Sequence, residues 1–116
     1  MFKPLTPQQC DVITAMITNA KLFDGGEVDA ARRNGWLEGV DKLSQGEPCP
    51  CGMCPSVQLL FDGRPTPESS PRTVLSAEGF NSVVLLFIDD DKPSYLEIAE
   101  YGEGGGGMPR AGQLEF

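Results

Sequence analysis

At residue 57 the spacing of the apolar side chains changes, and this constrains what the chain can fold into more than any other feature of it. Upstream, apolar residues recur at three- and four-residue intervals; downstream they form short runs rich in valine, leucine, isoleucine and phenylalanine, punctuated by glycine, proline and aspartate. These runs predict strands over 57–62, 73–78, 82–88 and 95–101, joined as an antiparallel meander. Residues 83–88 show no alternation, so this strand is expected to be central and buried on both faces. Asp89, Asp90, Asp91, Lys92 and Pro93 read as a solvated turn into its hairpin partner. In that partner Leu96 and Ile98 face one side, while Tyr95, Glu97, Ala99 and Tyr101 face the other.

Upstream of the change, Thr6 supplies an N-cap, Pro7 the first helical position and Gln9 the reciprocal member of a capping box, so a helix starts at residue 7. Cys10, Ile13, Met16, Ile17 and Ala20 recur at helical spacing, and Leu5 is placed to staple against Cys10, which reads as a small core residue. The Asp24-Gly25-Gly26 break ends that helix, and residues 27–34 predict a short second one closed by Gly35. Residues 36–43 fit both periods poorly and are assigned to a strand. The fold class that follows is α+β: two N-terminal helices packed on one face of an antiparallel meander sheet of about three to five strands.

A chain of 116 residues suits a single domain. Its helical part would be 7–34, its cysteine loop and sheet 36–101, and its glycine-rich flexible tail 102–116. The proline-rich connection over 64–71 also lacks a helix or strand pattern. Gly102, Gly104 and Gly107 match a GxGxxG string, but no helix pattern follows it, so it reads as linker and not as a dinucleotide loop. No apolar run suits a membrane span or a signal h-region, and a cytoplasmic protein with reduced thiols is the expectation.

The net charge is −8, unevenly placed: up to residue 77 nine acids face seven bases, and from Glu78 onward eight face two. Such a field disfavours direct nucleic-acid or membrane-surface binding and steers in a basic protein partner. The chain has no histidine, which removes the commonest general base and the usual partner of a catalytic cysteine.

Cys49, Cys51 and Cys54 fall within six residues, and three readings of them stay open. As a thiolate metal site, the CxC and CxxC spacings let the sulfurs converge on one ion. Zinc would then need Cys10, a carboxylate or a second chain as fourth ligand. As a redox site, the CxxC would have to work ahead of a strand, without the helix N-terminus that lowers a thiol pKa. As a structural turn, the thiols would pack as small apolar groups between shape-fixing prolines.

Cys51-Gly52-Met53-Cys54-Pro55-Ser56 ahead of an apolar strand, with Leu85-Leu86-Phe87 and the later Tyr95-Leu96-Glu97-Ile98-Ala99-Glu100-Tyr101-Gly102, resembles a family of small uncharacterised bacterial proteins. That family carries a C-G-C-P-[ST] turn ahead of a β-meander. The resemblance covers roughly residues 49–102, with Met53 interposed before Cys54, and implies the α+β fold but no catalytic residue.

Charge, size and the lack of catalytic groups point to a non-enzymatic interaction protein without a cofactor, such as an inhibitor, immunity protein or antitoxin covering a nuclease or another nucleic-acid-binding protein. The expected surface comprises Asp89, Asp90, Asp91, Glu97, Glu100 and Glu103, although strand alternation sets Glu97 and Glu100 on opposite faces. The alternative is a thiolate metal (zinc) or redox protein built on Cys49, Cys51 and Cys54 with Cys10.

Overall fold

The structure, a computed structural model, describes residues 3–48, 50, 55–70, 72–79, 81–100 and 107–116. The first helix, α1 (Pro7–Asn19), forms where its cap predicts: Thr6 Oγ1 accepts from the Gln9 amide, and the Gln9 side chain accepts from the Thr6 amide at 2.9 Å. Its buried face is Gln9, Val12, Ile13, Met16 and Ile17. Cys10 lies at the margin of that face and is half-buried, so it is not the core residue expected.

The second helix differs from expectation. It begins at Asp29, whose carboxylate caps the Arg32 amide at 2.8 Å, and α2 runs Ala30–Glu38 through Gly35 and Trp36 to a cap at Gly39. Trp36 is 2 % exposed. Burying an indole stabilises by several kcal/mol, more than the roughly 1 kcal/mol that a mid-helix glycine costs, so the helix continues past Gly35. A 3-10 turn at Val40–Lys42 follows, and the strand assigned to 36–43 starts only at Leu43.

Among the described residues the sheet is antiparallel and has eight strands, more than expected. They are β1 (Lys3–Pro4), β2 (Lys21–Leu22), β3 (Leu43–Pro48), β4 (Val57–Phe61), β5 (Arg64–Pro65), β6 (Thr73–Gly79), β7 (Ser82–Asp89) and β8 (Lys92–Glu100). Three of the additional strands have two residues each, too short to show a period, and Pro4, Pro48 and Pro65 sit at strand ends where a missing N–H is tolerated. β3 contains Gly46, where the Gln58 side chain fills the space a Cβ would take and its Oε1 accepts from the Glu47 amide at 3.0 Å.

The order is β1-β3-β4-β8-β7-β6-β2, with β5 also on β4. The sheet is not one meander among the described residues: β6, β7 and β8 form one, β4 pairs with the last strand, and the connection 66–72 from β5 to β6 passes the end of β7. β5 lies on the β8 side of β4, so two strand spacings of about 4.8 Å separate it from β6, well within the roughly 23 Å that seven residues reach. β7 is central as predicted, but only one of its faces is fully buried: Val84, Leu86 and Ile88 point into the core, while Val83, Leu85 and Phe87 are half-buried on the outer face. The core is one cluster in which Val12, Ile13, Met16, Ile17 and Trp36 join Val57, Leu59, Leu75, Leu96 and Ile98.

The end of the chain is ordered by contacts. A 3-10 turn at Ala111–Gln113 leads to buried Leu114, and Glu115 exchanges two backbone hydrogen bonds with Glu78 at 2.8 and 3.0 Å. Residues 107–116 are therefore docked and not a flexible tail, while 101–106 lie outside the described residues. Among the described residues no helix is long and apolar enough to cross a membrane.

Candidate functional site

Two tight turns place the chain's most prominent carboxylates. Phe61 pairs with Arg64 across Asp62-Gly63, and Asp89 pairs with Lys92 across Asp90-Asp91. All four turn residues have positive φ, between 50° and 78°, as the two-residue turn matching strand twist requires. Aspartate tolerates this conformation better than most side chains.

The register separates the three consecutive aspartates. Asp90 and Asp91 project from the turn, Asp90 with its side chain 77 % exposed and paired with Lys92 at 3.2 Å, and Asp91 accepting from Trp36 Nε1 at 3.1 Å. Asp89 remains in the strand and is fully buried, which corrects the expectation of three solvated carboxylates. The crossing connection covers it: Arg72 Nε donates to Oδ1 and Nη2 to Oδ2, both at 3.0 Å, the Ser69 amide donates to Oδ1 at 2.9 Å, and Ser94 Oγ lies 2.6 Å from Oδ2. Burial pushes this carboxyl up, and the bonds from Arg72, Ser69 and Ser94 together with the Arg72 charge outweigh it, holding the carboxyl below its ordinary value. With donors on both oxygens, Asp89 is a structural anchor and not an acid or base. Arg72, Ser69 and Ser94 were not foreseen, because the connection that carries Ser69 and Arg72 and the strand that carries Ser94 meet at Asp89 only in the assembled sheet.

Asp62 and Asp90 line one open cleft of about 500 Å³ with Phe61, Arg64, Pro65, Pro67 and Lys92. Glu68, 73 % exposed, adjoins it through Ser69, whose Oγ accepts from the Asp90 amide at 3.2 Å. The Lys42 and Lys92 ammonium groups lie 5.6 and 5.5 Å from the centroid of the Phe61 ring. The cleft thus has carboxylates on both turns.

The other expected surface residues are not gathered there. Glu97 is half-buried on the outer sheet face, and Glu100 pairs with Ser82 at the far end of the hairpin, roughly 26 Å along the strand from Lys92. Glu103 lies outside the described residues, as do Cys49, Cys51 and Cys54. Of the proposed thiolate set only Cys10 is described, half-buried on α1, and among the described residues no group of three His, Cys, Asp or Glu side chains is placed to hold a metal ion.

No protein-family model, curated protein or solved structure matches this chain. Its reading therefore rests on its own geometry and charge.

Proposed function

We propose that this chain is a non-enzymatic interaction protein of the cytoplasm that binds a basic protein partner, as an inhibitor, immunity protein or antitoxin would mask a nuclease or nucleic-acid-binding protein. The observation that carries the reading is the cleft flanked by the Asp62 and Asp90 turns, with Glu68 and Asp91 beside it. Every described carboxylate except Asp89, Glu97 and Glu100 is exposed, whereas several cations are engaged within the fold: Arg72 on Asp89, Arg33 on the Ile17 carbonyl, and Lys42 and Lys92 over Phe61. A partner lysine or arginine would pair with Asp62 and take the place of Lys92 at Asp90, between two turns whose backbones are held by strand pairing, so little backbone ordering is needed on binding. The wider negative field would speed encounter.

The test starts with capture of a partner from the native cell lysate, its identification and its purification. Association is then measured at about 50 and 500 mM salt for this chain and for an Asp62→Asn/Asp90→Asn variant, asparagine being tolerated at positive φ. The expected result is an association rate that falls by roughly tenfold or more with salt and several-fold in the variant. A purified partner whose association rate is indifferent to both would overturn the reading.

A further inference from the structure

A second depression, sharing no lining residue with the cleft above, lies where β2 meets the start of β6. Its volume is about 270 Å³, at the small end for a ligand site, and it is bordered by Leu22, Phe23, Arg32, Arg72, Thr73 and Val74. Phe23 is 67 % exposed, unusual for so large an apolar side chain beside a pocket. Its backbone is held in place: its amide donates to the Val74 carbonyl at 2.9 Å, and the turn behind it closes through Gly25 to Leu22 at 2.8 Å and Leu22 to Gly26 at 2.9 Å. The ring is thus presented from a fixed turn.

Arg32 faces the same space. Its guanidinium carbon lies 4.9 Å from the centroid of the Trp36 ring, and Nη2 donates to Thr73 Oγ1 at 2.9 Å. Arg72 is committed to Asp89 and Glu68, but among the described residues Arg32 has no carboxylate within ion-pair distance. The Asp24 carboxylate, also on the rim, accepts from the Gly26 amide at 2.9 Å. In a chain with net charge −8, a fixed guanidinium without a counter-ion, next to a hydroxyl and an exposed phenyl ring, is suited to an oxyanion attached to a flat apolar group.

We propose that this pocket binds a small aromatic phosphate monoester, its phosphate on Arg32 and Thr73 and its ring against Phe23. The planar fork and the hydroxyl offer donors in different directions, which suits a tetrahedral head better than a planar carboxylate. The volume, about 270 Å³, is enough for one ring and one phosphate.

Trp36 is the only tryptophan and stacks on Arg32, so its emission reports on the site directly. Phenyl phosphate, titrated to about 10 mM, is expected to give a saturable change with a dissociation constant of roughly 1 mM or below, and inorganic phosphate a several-fold weaker one. Arg32→Gln should weaken phenyl phosphate roughly tenfold or more, and Thr73→Val and Phe23→Ala each roughly threefold. Circular dichroism and a melting curve identify any variant that fails to fold, and Arg32→Lys, which keeps the charge and loses the fork, then stands in for Arg32→Gln. No saturable response, or one unchanged in the Arg32 variants, would overturn the site. Equal affinity for phenyl phosphate in Phe23→Ala would overturn the place assigned to the ring.

Discussion

Asp89 holds the crossing connection to the central hairpin through one carboxylate, and the effect can be separated from its neighbours by substitution. Asp89→Asn keeps a side chain of the same size but removes the buried counter-charge of the Arg72 guanidinium, leaving it only the exposed Glu68 carboxylate at 3.6 Å. Because the Arg72 side chain is 32 % exposed and can turn to water, the expected cost is about 2 kcal/mol, below the range for a fully buried pair. The carboxyl is held below its unfolded value, so its contribution is complete above roughly pH 4 and is lost as pH falls through the lower folded value. Urea midpoints measured between about pH 7 and 2 should therefore fall more steeply below pH 4 for the native chain than for Asp89→Asn. Parallel curves would show that Asp89 is not the titrating anchor. The sequence reading put Asp89 in the turn and could not show that Ser69, Arg72 and Ser94 meet it, since no local pattern links the connection and β8 to the end of β7.

The capping box at Thr6 and Gln9 was legible because both partners lie within one turn and their chemistry requires no other segment. Thr6→Ala should lower stability by about 1 kcal/mol, measured as a shift in the urea midpoint without a change in slope. The boundaries of α2 were not legible, because the residue that extends it past Gly35 is Trp36, and its value depends on a cavity built by other elements. β3 was hidden for a related reason: Ser44, Gln45, Gly46 and Glu47 have little intrinsic strand preference, and the strand is set by pairing with β4 at Leu43, Ser44, Gln45 and Pro48, the register shifting between Gln45 and Pro48. Asp90 and Asp91 were read as a turn from composition, and the register then decided which aspartate stayed in the strand.

At the scale of the molecule, the two ends of the chain close the sheet's edges: β1 pairs β3, while β2 and Glu115 divide the outer edge of β6. Removing residues 110–116 strips Leu114 from the core and takes away the two backbone hydrogen bonds that Glu115 exchanges with Glu78 on the outer edge of β6. The expected loss is about 1.5–3 kcal/mol of stability together with concentration-dependent self-association, read by thermal melting and sedimentation. A truncated chain as stable and monomeric as the full one would show the docked segment to be dispensable. The uneven charge was fully legible, being a sum over residues. Where it concentrates was not, because the crossing from β5 to β6 brings Asp62, Glu68, Asp90 and Asp91 to one end and leaves Glu97 and Glu100 elsewhere.

Legible from the residue order alone were the α+β class, the start of α1, strands β4, β6 and β7 near their observed limits and β8 from Tyr95, and the net acidity, since each follows from residues near one another in the chain or from simple addition. The tertiary structure alone decided the short strands, the extent of α2, the docked C-terminal segment, the burial of Asp89 and the grouping of Phe23, Arg32 and Thr73. Each of these depends on contacts between residues distant in sequence, whose pairing energy exists only once the sheet has assembled around the core.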